Sequence, residues 1–196
     1  ESLINARKWL LLGCRLGQRF SDLIRVNPDM IVFRYGIEVL KIKQVKTGKV
    51  VKIPLDEFAS DMIKNEMPHP ISNQKFNDYI KDICKAAEIN TPTKGAVYLE
   101  TETKDPHKAK TPGVYPKWQL VGSHVCRRSY ASQHYGEMPT TILKNITGHK
   151  TEAMLLRYVG EDEDKEDKLL AKYILGKRNQ KSENADLRII KKVSNN

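Results

Sequence analysis

At 196 residues, with 39% apolar and 30% charged side chains, the chain is long enough to fold around one sizeable core and too apolar to be a disordered segment. Its formal net charge is +10 although residues 161–167 alone carry six acids against one lysine, so the remainder is strongly basic and suited to a polyanionic partner. Cys14, Cys84 and Cys126 are far apart with no CxxC pair, which argues against a disulfide framework and a zinc site and fits a reducing cytoplasm. No run approaches the ~18 apolar residues of a membrane span, and there is no secretory leader at the start. Beginning at Glu1 without a methionine, the chain reads as part of something longer.

Residues 4–16, with Trp9, Leu10, Leu11 and Leu12, predict a buried helix that Gly17 ends, and a second helix over 19–26 stops at Asn27-Pro28. Three β-branched runs follow, 30–34, 37–45 and 50–53. Tyr35-Gly36 and Lys46-Thr-Gly-Lys49 separate them, which predicts an antiparallel meander. Helices resume over 55–66 and, beyond Pro68-His69-Pro70, over 73–87. There Phe76, Tyr79, Ile80, Ile83 and Cys84 (or Ala87) recur at helical spacing. Residues 101–118 are polar and proline-containing and read as a loop. Ser123 is placed to cap a helix over 124–135. Two short helices, 139–147 and 151–158, flank Gly148-His149, then a helix over 165–175 precedes a basic tail over 176–196. The expected fold is mainly α with a small three-stranded antiparallel sheet.

Five cationic or imidazole residues and one tyrosine stand out: Arg19, Lys46, His124, Arg127, His149 and Tyr158. A phosphodiester repels nucleophiles through its anionic oxygens, and its alkoxide leaves poorly. Arginine answers the first problem with a planar fork that stays charged. His124 and Arg127, at i and i+3, project to one side of their helix. Arg128 points elsewhere, toward a salt bridge or a DNA backbone. Asp22, three residues past Arg19, lies on its face and is a candidate to orient it, unless the two are an ordinary surface pair. His149 and Tyr158 are nine residues apart, about 900° on one unbroken helix, so Gly148 must break the chain for them to meet. Lys46 sits on a hairpin tip, with Lys49 as its nearest rival; His107 reads as solvated.

In this order, and in the segments GQRFSD, HVCRRSYAS and TGHKTEAMLLRY, the chain resembles the catalytic domain of the tyrosine recombinases, and among them the integrases of Bacteroidetes conjugative transposons and related mobile elements. The resemblance runs from residue 4 to residue 175. Cys126, where a small residue is usual, and Arg15, where a smaller or aromatic one is expected, depart from the pattern. The resemblance implies the tyrosine recombinase fold over 1–175. It also implies a core-binding domain outside this chain, and a segment within 165–196 that packs on a neighbouring protomer through the strand-like stretch 187–193, the alternative being that the tail at 176–196 is a disordered basic one. Tyr158 would attack the scissile phosphate to give a 3′-phosphotyrosyl enzyme. His124 would take the phenolic proton, Arg19 and Arg127 would clamp the non-bridging oxygens with His149 beside them, and Lys46 would protonate the leaving 5′-oxygen. No cofactor is implied, neither a metal ion nor ATP. The implied partners are double-stranded DNA, three further copies in a tetramer on two duplexes, and accessory DNA-bending proteins. The isolated domain is expected to be a monomer and the setting a bacterial nucleoid.

Two other readings compete. Residues 141–158, short helix, glycine turn, short helix, mimic a helix-turn-helix and suit a non-catalytic DNA-binding module. A type IB topoisomerase uses similar phosphate chemistry. A metal-dependent nuclease fits less well, because the carboxylates are not grouped with the histidines in ligand spacing.

Overall fold

The computed structural model describes residues 1–98 and 110–159 together with 167, 170 and 173–175. The chain divides into two units, Glu1–Val159 and Gly160–Asn196.

The first unit opens with α1 (Ser2–Leu16), whose Trp9, Leu12 and Leu16 are buried on one stripe. Gly17 ends it in the left-handed region at φ 64°, returning its N–H to the Gly13 carbonyl, as expected of a helix-ending glycine. The second helix is shorter than its sequence suggests: α2 covers only Phe20–Leu23, with Arg19 extended at its N-cap. The chain then tightens, Arg25 and Val26 donating to the carbonyls three residues back, and a 3₁₀ turn at Pro28–Met30 leads into the sheet.

Strands β1 (Ile31–Arg34), β2 (Ile37–Lys43) and β3 (Val50–Pro54) form the expected antiparallel meander, in the order β1-β2-β3. Leu40 pairs with Ile53 and Ile42 with Val51, all four facing the core while the intervening lysines face outward. Two capped helices follow: Asp56 accepts from the Ala59 N–H at the head of α3 (Glu57–Asn65), and Ser72 from the Lys75 N–H at the head of α4 (Asn73–Ala86). Phe76, Ile80 and Cys84 form the buried stripe of α4, which settles the alternative at its end in favour of Cys84.

Part of the segment read as a loop is a second sheet. β4 (Pro92–Val97) and β5 (Thr111–Pro116) pair antiparallel along their length, and α5 (Lys117–Leu120) follows directly. Both strands are edge strands, so their prolines cost no ladder bond that a central strand would need. The ribbon lies so close to α5 that a Cβ at Gly95 would come within 2.5 Å of Leu120.

Helices α6 (His124–His134), α7 (Thr140–Thr147) and α8 (Glu152–Val159) complete the unit. Ser123 makes no side-chain cap; its backbone is already helical, and its N–H donates instead to Asn77 Oδ1 at 2.7 Å. α6 packs against α1 and α8, and the shared core joins Trp9, Leu12, Leu16, Phe76, Ile80, Tyr130, Leu143, Ile146 and Leu155. Each such side chain is worth roughly 1.5–3 kcal/mol when fully buried. The two departures from the family pattern are accounted for here. Cys126 is buried against Gly13, and Arg15 lies over the Phe58 ring and pairs with Asp56. Among the described residues no helix is long and apolar enough to cross a membrane.

In the second unit, 167, 170 and 173–175 are helical. The rest of the acidic run 161–167, the tail 176–196 with its stretch 187–193, and His107 all lie outside the described residues.

Candidate active site

Four separate segments deliver the singled-out side chains to one side of the core. Arg19 leaves the corner after α1, and its Nη1 is buried with no hydrogen-bond partner among the described residues. Arg127, on the second turn of α6, is only 1% exposed. Its Nε donates to the Gly17 carbonyl at 3.2 Å, which ties it to the corner carrying Arg19, and its Nη2 is likewise buried without a partner. Arg19, Arg127 and His124 line a cleft of about 440 Å³ together with Gln18, Phe20, Ser21, Asn73 and Ser123. The i, i+3 spacing of His124 and Arg127 therefore does bring both to one cleft.

His149 follows Gly148, which closes α7 in the left-handed region at φ 65° and supplies the break that the nine-residue spacing required. The imidazole is buried, with Nδ1 lying 2.8 Å from Thr147 Oγ1 and Nε2 without a partner. The Thr147 hydroxyl also sits 2.7 Å from the Leu143 carbonyl, so its orientation sets which ring nitrogen of His149 carries the proton. The ring of Tyr158 packs on that of His149, centroids 4.5 Å apart and planes tilted by 60°. Tyr158 is half-buried at the end of α8 and lines a second cleft of about 540 Å³, which also contains His124, Arg128, Ser129 and Ser132. The phenol is not sealed inside the fold.

Electrostatics link the same groups. Burial, then Arg127 and Arg19, push the His149 pKa down to about 4. Partial desolvation, then Arg127, Arg19 and Lys46, hold His124 below the ordinary imidazole range. Burial, then Arg19, lower Arg127 to about 10 against the opposing charges of Tyr158 and Asp22. Both histidines are therefore neutral near pH 7. Lys46, exposed like His124, lies on the 44–49 connection between β2 and β3, and its charge is felt at His124.

One expectation needs correction. Asp22 does not orient Arg19, nor is it a surface residue: its buried carboxylate accepts from the Val45 N–H at 2.7 Å and lies 3.7 Å from Arg25 Nη1. It thereby fastens the β2–β3 connection to α2. Arg128 does leave the face of Arg127, as expected, and lines the cleft that holds Tyr158.

Sequence reasoning passed over Gln18 and Gln44, both fully buried. Gln18 Nε2 donates to the carbonyls of Leu16 and Ile146, each at 3.0 Å. Gln44 Nε2 donates to Gln18 Oε1 at 2.8 Å and to the Ile146 carbonyl at 3.0 Å. Their adjacency to Arg19 and Lys46 was the one available signal. Two guanidinium nitrogens, Arg19 Nη1 and Arg127 Nη2, and the His149 Nε2 beside the Tyr158 ring are thus left without a partner among the described residues. Such an arrangement suits a tetrahedral oxyanion with a phenol at its flank.

No protein-family model matches the chain, and no curated protein matches it. Solved structures do share its fold. The XerH site-specific recombinase bound to palindromic difH substrate, a post-cleavage complex, superposes with a TM-score of 0.52 at 14% identity, over 87% of this chain and 47% of that one. A lambda integrase dimer bound to a COC′ core site gives 0.51 at 20% identity, over 80% and 52%. This chain spans about half the length of the structures it matches. Its fold is that of a tyrosine recombinase catalytic domain.

Proposed function

We propose that this chain, built on the tyrosine recombinase catalytic fold, is the strand-cleaving domain of a site-specific DNA recombinase that integrates or excises a mobile element. One observation carries the reading: Arg19 Nη1 and Arg127 Nη2 are buried with no acceptor among the described residues, and so is the Nε2 of the His149 ring on which Tyr158 packs. A structural core has no use for two buried guanidinium donors without acceptors, each costing about 1–3 kcal/mol. A scissile phosphate supplies the acceptors.

In this mechanism the Tyr158 phenolate oxygen attacks phosphorus as the bond to the 5′-oxygen breaks. A free phenol ionises near pH ~10, so its proton must be removed. His124, held below the ordinary imidazole range by partial burial and then by its cationic neighbours, is able to take it. Arg19 and Arg127 clamp the non-bridging oxygens, and His149 adds a hydrogen bond from Nε2 in the tautomer whose Nδ1 accepts from the Thr147 hydroxyl. Lys46 gives its proton to the departing 5′-oxygen. The tyrosyl ester retains the energy of the phosphodiester, so a 5′-hydroxyl from another duplex reverses the step with no ATP and no metal ion. Exchange of strands between two duplexes calls for four protomers, and the basic surface suits double-stranded DNA in the nucleoid of a bacterium. Accessory DNA-bending proteins and a core-binding domain are the further components expected of such an assembly.

The test is covalent trapping. A pool of nicked duplexes with a randomised centre, incubated with the protein in EDTA, should yield a denaturation-resistant adduct, and Tyr158→Phe should abolish it while retaining DNA binding. Binding with no adduct from the unmodified protein would point to a non-catalytic module. Relaxation of plasmid irrespective of sequence would point to topoisomerase action.

A further inference from the structure

We propose that Gln18 and Gln44 form a buried carboxamide clip that positions Lys46 for proton delivery; this rests on the recombinase reading above. The carbonyl of Ile146 is one of the last of α7 and has no partner within its own helix. It accepts from both carboxamides, at 3.0 Å each, while Gln44 Nε2 also donates to Gln18 Oε1 at 2.8 Å. The two side chains are 0% and 1% exposed, so no water competes for these bonds.

The three segments joined are the ones that carry the chemistry. Gln18 immediately precedes Arg19, Gln44 lies two residues before Lys46, and Ile146 lies three before His149. Gln44 also shapes the loop itself. Its Oε1 accepts from the Thr47 hydroxyl at 2.8 Å, its N–H donates to the Lys49 carbonyl, and its carbonyl accepts from the Gly48 N–H. From the α7 side the fit is tight, since a Cβ at Gly148 would approach Gln44 Oε1 to 2.7 Å. Lys46 is exposed on this loop, its charge is felt at His124, and no hydrogen bond or ion pair holds its ammonium among the described residues, so the loop's anchorage sets where it lies. A leaving-group acid must sit within hydrogen-bond reach of one oxygen, and a 1 Å displacement can cost about 10² in rate. The clip and the Thr47 bond supply that anchorage together with the Asp22 carboxylate on the Val45 N–H, and both Gln side chains act through the loop. They are positioning residues.

The experiment separates leaving-group protonation from everything else. A nicked duplex recovered from the randomised pool by its own adduct is remade with sulfur in place of the bridging 5′-oxygen at the scissile phosphate. A thiolate departs without a proton, so loss of the acid no longer matters. Lys46→Ala should be slowed by about 10²–10³ on the oxygen substrate and return to within about 3-fold of the unmodified protein on the sulfur substrate. Gln44→Leu should be slowed by about 10², and Thr47→Val by roughly 3- to 10-fold, both with the same recovery on sulfur. Thr47→Val removes one loop hydroxyl and carries the test if Gln44→Leu does not fold. Equal slowing of the Gln44 or Thr47 variant on both substrates, or full speed on both, overturns the clip while Lys46 keeps its role. A Lys46→Ala variant that sulfur does not rescue removes the acid and the clip's purpose together. No adduct from the unmodified protein overturns the recombinase reading itself.

Discussion

Acid should loosen the first unit of this chain through His149. Burial, and then the guanidiniums of Arg127 and Arg19, hold its imidazole down to about 4, against ~6.5 for a free one. The folded value lies below the unfolded one, so the unfolded chain binds more protons between the two. The stabilisation is therefore complete above pH ~6.5 and is lost as pH falls toward ~4. The whole difference corresponds to about 3.4 kcal/mol, of which about 1.8 falls between pH 7 and pH 5. Relaxation of the surrounding protein, which acts as a medium of higher effective dielectric than a dry interior, reduces this to on the order of 1 kcal/mol over that interval. The assay is urea unfolding of the unmodified protein and of His149→Gln at both pH values. Carboxylates and His124 titrate in both proteins and drop out of the comparison. The unmodified protein should lose roughly 1 kcal/mol more than the variant on acidification. Equal losses would refute the account of a neutral imidazole wedged against two cations.

Gly17→Ala should be costly, because φ 64° disfavours any side chain and the new Cβ would meet the Tyr130 ring at 2.6 Å. A loss of about 3 kcal/mol, or a Tm lower by about 10 °C, is expected by thermal melting. Arg19→Gln and Arg127→Gln should each slow adduct formation by at least about 10², measured by single-turnover trapping, because each removes a preorganised donor to the phosphate. Affinity for duplex DNA should fall by about 10³ or more between 50 and 200 mM salt in fluorescence anisotropy, as counterion release at six or more phosphates requires.

Most of the backbone was legible because burial and period agree. Leu40 and Ile42 alternate with Lys41 and Lys43, and Val51 and Ile53 flank Lys52, so the meander is written in which side chains face the core. Trp9, Leu12 and Leu16 likewise declare α1, and Gly17 and Gly148 mark the helix ends where the chain adopts positive φ. The β4–β5 ribbon was not legible. Pro92, Pro112 and Pro116 are loop signals in isolation, and only the pairing of two distant segments turns them into edge-strand residues. α2 fell short because the last turn of its predicted span tightened to i−3 bonds. At the site, residue types and order could be read, yet orientation could not. Asp22 looked like Arg19's neighbour on a helix face, but the β2–β3 connection captures it. Gln18 and Gln44 carry no signal in sequence beyond their nearness to Arg19 and Lys46, since a buried carboxamide is distinguished only by the carbonyl it meets 102 or 128 positions away.

The central claim is that Tyr158 is the atom donor of a phosphotyrosyl bond, drawn to the phosphate by the groups around His149. Proteolysis of the trapped adduct followed by mass spectrometry tests it most directly. The account predicts a nucleotide joined through its 3′-phosphate to the peptide containing Tyr158, and to no other. A nucleotide on a different residue, or one joined through its 5′-phosphate, would contradict it.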